Sequence, residues 1–254
     1  MNCDICLNNK ECGNCSTESI NNKSELPLIT GGFMNVTQKC NLKCKYCFVC
    51  QQPMEMTYQV AKDAADFYAK NAKEVNGKPS INFFGGEPLL RWNDIIVPLT
   101  NYIRKTYGDN YDLGLTTNGT LLTKEKLEFM KENKICFLFS IDGDKKTQDL
   151  NRPFHNGVGS FDVLKDKIPM ILEYNPDMTF RATIDHDNVY DIAHNYQFAV
   201  DQGYNNVFMI VNVFANWSEK EKLELKNQIR EVANIYINLL RQNKRVDFNQ
   251  FNDM

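Results

Sequence analysis

The chain has 254 residues, enough to bury the core of one large domain or two small ones, and no window reaches the ~18 apolar residues of a membrane span. Its 29 Lys and Arg face 32 Asp and Glu, so a net charge of −3 excludes a global basic field that would attract nucleic acid. Nine cysteines with no charged-then-apolar signal peptide favour a cytoplasmic, metal-binding protein over a disulfide-stapled secreted one.

Residues 1–24 carry Cys3-x-x-Cys6 and Cys12-x-x-Cys15 among Asn, Ser, Lys and Glu, with almost no apolar residues. Such a stretch forms no core of its own, so metal or docking must order it. Cys3, Cys6, Cys12 and Cys15 suit a four-thiolate site, zinc or a second iron–sulfur cluster; the alternative is an unstructured tail.

From Pro27 onward short apolar runs alternate with helical stretches. Ile29–Thr37 reads as a strand. Thr57–Val75 has helical spacing and stops at Asn76-Gly77. Ser80–Phe84 is a strand, Trp92–Tyr107 a helix, and Asp112–Thr117 a strand. Thr123–Asn133 opens on a Thr cap and reads as a helix. Ile135–Ile141 is a strand, Phe161–Tyr174 a helix, Thr179–Ile184 a strand, and Asn188–Gln202 a helix. Val207–Val213 is the sixth strand, and Ser218–Asn243 a long helix with a capping box at Ser218 and Glu221.

Alternating strands and helices imply βαβ units and a parallel sheet. Six repeats are too few for an eight-fold barrel, so the expected class is α/β with a partial (β/α)6 TIM-type barrel over residues 25–217. Residues 218–254 follow as a C-terminal helix and tail. In such barrels the chemistry gathers at the carboxyl ends of the strands. The unusual residues fall there: cysteines after strand one, Gly-Gly-Glu-Pro after two, Thr117-Asn118-Gly119 after three, and Asp142-Gly143 after four.

The cysteine loop runs Cys40-Asn41-Leu42-Lys43-Cys44-Lys45-Tyr46-Cys47-Phe48. Three thiolates leave one iron of a four-iron cluster without a protein ligand. Zinc closed by Cys50 as a fourth ligand is the alternative.

Four motifs in register then carry a resemblance. They are Asn35-Val36-Thr37 with the cysteine loop, Phe83-Phe84-Gly85-Gly86-Glu87-Pro88-Leu89-Leu90, Thr117-Asn118-Gly119-Thr120-Leu121-Leu122, and Ser140-Ile141-Asp142-Gly143. Asn151-Arg152-Pro153 and Gly157-Val158-Gly159-Ser160-Phe161-Asp162 follow. Over roughly residues 29–215 the chain resembles the radical S-adenosylmethionine (SAM) superfamily. Within it, the chain is similar to the peptide- and protein-modifying subgroup of anaerobic sulfatase-maturating enzymes and ribosomal peptide maturases.

The resemblance implies a 4Fe–4S cluster on Cys40, Cys44 and Cys47 that cleaves SAM reductively, so that hydrogen is abstracted from a peptide or protein substrate. Thioether or other crosslinks and formylglycine all fit. It also implies an electron donor such as flavodoxin or ferredoxin; charge and hydropathy, not the resemblance, argue for no nucleic-acid and no membrane partner. Gly85 and Gly86 are then expected to approach SAM, Glu87 its amino group, and Thr117 and Asn118 its face. Ser140 and Asp142 are expected at its ribose or carboxylate, and Arg152 as a bidentate carboxylate grip. Tyr46 and Phe48 flank the cluster loop and would limit solvent access. Arg181, flanked by apolar residues in its strand, is expected to point into the barrel.

Subgroup members carry a cysteine-rich C-terminal domain with auxiliary clusters. No cysteine follows Cys136, so this chain is expected to lack it. A non-catalytic iron–sulfur or zinc protein, serving in electron transfer or partner recruitment, is the competing class. It would have no use for Glu87, Asn118, Ser140 and Arg152.

Overall fold

A computed structural model describes residues 28–244 and 246–252. Cys3, Cys6, Cys12 and Cys15, and with them the expected second metal site, lie outside the described residues.

The chain alternates strand and helix. Gly31–Thr37 is β1, Tyr58–Glu74 α1, Ser80–Gly85 β2, Val97–Tyr107 α2, Asp112–Thr117 β3 and Lys124–Glu132 α3. There follow Ile135–Phe139 (β4), Lys145–Asn151 (α4), Phe161–Leu164 (α5), Lys167–Tyr174 (α6), Thr179–Ile184 (β5) and Ile192–Asp201 (α7). Asn206–Val211 (β6), Glu219–Arg241 (α8), Asp247–Phe248 (β7) and Asn249–Asn252 (α9) complete it.

Strands β1 to β4 pair in sequence order, all parallel, and β5 to β7 form a second parallel sheet. A single parallel bridge, Ser140 to Arg181, joins the two, supported by the Ile141 nitrogen donating to the Arg181 carbonyl at 3.0 Å. The result is an open partial barrel, as the alternating pattern predicts. Period-two alternation turns Ile81, Phe83, Leu113, Leu115, Ile135, Phe139, Phe180 and Val207 into one continuous core under the helices. On the other face Phe33 and Phe84 meet edge to face at 5.3 Å, and Arg181 lies 5.3 Å over the Phe208 ring.

Helix starts follow local chemistry. Thr57 and Thr123 cap α1 and α3 through their side chains, and Ser218 with Glu221 forms the reciprocal capping box of α8.

Several expectations change. The expected helix 92–107 begins earlier, as a 3-10 turn at Pro88–Arg91 and a π turn at Trp92–Ile96, because Pro88 supplies a preset first position. The expected helix 161–174 is broken into α5 and α6. Helix α4 was not expected at all. It has one apolar residue, and its buried face is Thr147, Gln148 and Asn151, so no hydrophobic period announces it. Past α8 the tail adds a seventh strand, β7, paired with the start of β6. Among the described residues no helix is long and apolar enough to cross a membrane.

Candidate radical SAM site

Strand β1 ends in a register shift between Asn35 and Thr37, where the chain leaves the sheet for the cysteine loop. The loop is pinned at its base. Gln38 donates to the Met54 carbonyl and Met56 to that of Val36, both at 3.0 Å, while Arg91 holds the Val36 and Met56 carbonyls at 3.1 Å. Leu42 is fully buried as its anchor.

The turn after β2 meets this lead-in directly. Gly86 donates to the Thr37 carbonyl at 2.8 Å and Glu87 to that of Lys39 at 2.9 Å. A Cβ on Gly85 would stand 2.0 Å from the Thr37 oxygen, and one on Gly86 2.2 Å from the Lys39 oxygen. The close approach these glycines allow is therefore to the cysteine loop's own backbone.

Glu87 is fully buried and its carboxylate is satisfied within the protein. It accepts from the nitrogens of Leu89 (3.0 Å) and Asn118 (2.8 Å) and from the Thr117 hydroxyl (2.8 Å). Burial outweighs those three donors and pushes its pKa up to about 7. Thr117 thus faces Glu87. The Asn118 amide turns to the cysteines, 3.7 Å from the Cys40 sulfur and 2.9 Å from the Asn41 oxygen. Asn41 in turn bonds Thr120 at 2.7 Å. These bonds lock the Thr-Asn-Gly turn onto the cysteine loop.

Cys40 and Cys44 are half-buried and Cys47 is exposed. Burial pushes the Cys40 thiol up to about 12 despite the Leu42 N–H bond, with Glu87, Cys44 and Cys47 adding to the rise. Burial raises Cys44 as well, while Arg152 pulls it down. The thiols lie within electrostatic reach of one another. Among the described residues, no three Cys, His, Asp or Glu side chains converge on a single-ion position.

Asp142 is the second buried carboxylate. It accepts from the Thr183 nitrogen at 3.1 Å, the Asn151 amide at 3.2 Å and the Tyr46 hydroxyl, and pairs with Arg152 at 3.0 Å. Arg152 is consequently buried rather than presented at the mouth as a carboxylate grip. Ser140 sits at the seam between the sheets, bonded through its backbone to Thr117. Phe48 is 81% exposed, its ring 6.2 Å from Phe84, so shielding of the loop falls to Tyr46.

Sequence reasoning missed Asn41, Thr120 and Gln148, which tie the motifs together. Each is a polar residue inside or beside a motif, and only its tertiary partner distinguishes it.

Residues 34–199 match the family model of the radical SAM superfamily. The chain belongs to the radical SAM superfamily. It is 25% identical over 207 residues to the cysteine-type anaerobic sulfatase-maturating enzyme of Clostridium perfringens, covering 79% of this chain and 56% of that one. It is 30% identical over 160 residues to the AdoMet-dependent heme synthase of Oleidesulfovibrio alaskensis, covering 61% and 38%. Among solved structures it superposes on anSMEcpe with bound AdoMet and the Cp18Cys peptide with a TM-score of 0.73. The identity there is 20%, with 87% of this chain and 63% of that one covered. That likeness fixes the radical SAM fold. The chain spans about half the length of the curated relatives it matches. Membership of the superfamily implies a 4Fe–4S cluster and AdoMet.

Proposed function

We propose that this chain is the catalytic core of a radical SAM enzyme that acts on a peptide or protein. One observation carries the reading: the Asn118 side chain bonds both the Cys40 sulfur and Asn41, so the polar strand ends and the thiol loop form one site. An electron carrier needs only the thiols. Here Glu87 and Asp142, two buried carboxylates, are built in around them.

Cys40, Cys44 and Cys47 would hold the cluster, and the buried, unpartnered Nε of Arg152 beside Cys44 fits a group that is electron-rich. When bound, the cluster supplies the electron for reductive cleavage of SAM. The chain's own part is binding, orientation and exclusion of water. Gly85, Gly86 and Glu87 would shape one wall, Thr117 and Asn118 the floor, and Ser140 the seam. The substrate would enter the open face lined by Phe33, Phe84 and Arg181.

Peptide modification by crosslinking, thioether or formylglycine formation is favoured by the shared motifs and by the sulfatase-maturase relative. A tetrapyrrole substrate is the second reading, favoured by the heme-synthase relative at comparable identity. A flavodoxin- or ferredoxin-type donor would reduce the cluster. Cys3, Cys6, Cys12 and Cys15 would hold a separate metal, zinc or iron–sulfur. A chain starting at Ser24 should then lose metal relative to the full chain.

The test is anaerobic reconstitution with iron and sulfide, then dithionite and SAM. Release of 5′-deoxyadenosine is expected, and its absence from cluster-loaded protein would overturn the reading. Deuterated peptide or porphyrin, whichever passes label into 5′-deoxyadenosine, separates the two substrate classes.

A further inference from the structure

The segment after α4 is laced to the cysteine loop along its whole length. The His155 ring contacts the Cys40 carbonyl at 2.9 Å, Leu42 and Phe154 form an antiparallel bridge, and Lys43 donates to the Pro153 carbonyl at 2.8 Å. Lys45 donates to the Asn151 carbonyl at 3.0 Å. This strap, Asn151 to His155, carries Arg152 to the inner side of the loop.

There the guanidinium is enclosed by three groups. Its Nη2 lies 3.0 Å from Asp142 and its centre 5.3 Å from the Tyr46 ring, and the bonds of Lys43 to Pro153 and Lys45 to Asn151 set Arg152 directly across from Cys44, whose thiol pKa the guanidinium pulls down. Asp142 cannot drift, because Thr183, Asn151 and Tyr46 all donate to it. The side chains of this ion pair are 10% and 0% exposed, so solvent screens it little. The Nε is buried and has no hydrogen-bond partner among the described residues.

We propose that Arg152 is a positioning residue for the iron–sulfur cluster. Held by Asp142 and the strap, it places a permanent cation on the Cys44 thiolate and so raises the cluster's reduction potential. The inference rests on the functional reading above and deepens it.

The argument is one of charge and dielectric. Hydrogen bonds to ligand sulfur and local charge are among the factors that set cluster potentials. A nearby cation stabilises the reduced form, which carries one more electron, over the oxidised form. Arginine suits the task because it stays charged when buried and its fork can hold Asp142 while the charge stays beside Cys44. Lysine keeps the charge without the fork. Glutamine removes the charge and leaves Asp142 as an uncompensated anion beside Cys44.

Midpoint potentials of the reconstituted full chain, read by redox titration with EPR, test this, with iron content, circular dichroism and Tm measured in parallel. The potential should fall from wild type to Arg152→Lys to Arg152→Gln. For the glutamine variant the reduced-to-oxidised ratio at fixed potential should drop at least about tenfold, or about 59 mV for one electron. A variant with full iron and the wild-type potential overturns the proposal. If both variants keep the native fold but lose only the iron tied to Cys40, Cys44 and Cys47, the contact is needed to hold the cluster, which supports it. If both lose the fold, Arg152 is a structural ion pair and the proposal is wrong. A wild-type chain that loads no iron defeats the functional reading itself, whereas a loaded wild type with unshifted variants defeats this inference alone.

Discussion

The carboxylate of Glu87 accepts a 2.8 Å hydrogen bond from the backbone nitrogen of Asn118, joining the turn after β2 to the turn after β3 inside the protein. A fully buried acid held this way has its pKa lifted by desolvation from 4.5 to about 7, against the pull of three donors. The folded state therefore binds its proton more tightly than the unfolded state does. The resulting stabilisation is complete below about pH 4.5 and is lost as pH rises through about 7. Glu87→Gln cannot titrate and presents an NH2 to donors that expect an oxygen. In metal-free protein, the Tm gap between wild type and Glu87→Gln should be widest near pH 5 and narrow toward pH 8. A gap that stays constant or widens would mean the carboxylate is ionised throughout.

Gly86 should tolerate no side chain. The added Cβ of Gly86→Ala would meet the Lys39 oxygen at 2.2 Å, a backbone atom that cannot swing away. Either the 2.8 Å bond from Gly86 to Thr37 or the path of the cysteine loop must yield. Overpacking of this kind costs about 1–3 kcal/mol. We expect a Tm lower by several degrees and iron loading below wild type. Full loading at unchanged Tm would show that the loop is more compliant than its hydrogen bonds imply.

The three cysteines should be individually necessary. Cys40, Cys44 and Cys47 each lie in a loop whose base and strap are fixed by other bonds, so Ala substitution should leave the fold intact. With fewer than three thiolates, the cluster at this loop should not assemble. Iron analysis and the visible absorbance assignable to this site are the measurements. A triple Ala variant that kept SAM cleavage would show the chemistry to lie elsewhere.

Much of the barrel was legible because its strands alternate. Asp112–Thr117 and Thr179–Ile184 match their expected bounds residue for residue, and the strand-end placement of the motifs needed no family knowledge. The site residues were legible as types but not as partners. Glu87, Thr117, Asp142 and Arg152 read as groups open to a ligand, whereas they spend hydrogen bonds on one another across sequence gaps that no local pattern encodes. Strand β7 escaped notice because two residues carry no period. Helix α4 escaped because its buried face is polar.

That polar face gives a last prediction. The Oε1 of Gln148 accepts from the Asp142 backbone nitrogen at 2.9 Å, and its Nε2 donates to the Ser160 hydroxyl at 2.9 Å, with the side chain fully buried. Truncation to Ala would leave the Asp142 N–H without a partner in the interior. An orphaned buried polar group costs about 1–3 kcal/mol, and for a chain of this size each kcal/mol lowers Tm by about 2–4 °C. Gln148→Ala should thus melt several degrees below wild type. Gln148→Glu restores the acceptor but brings a carboxylate close to Asp142, so at neutral pH it should recover little and at acid pH more. Equal Tm for wild type and Gln148→Ala would mean that water replaces the lost amide and that α4 is held by Thr147 and Asn151 instead.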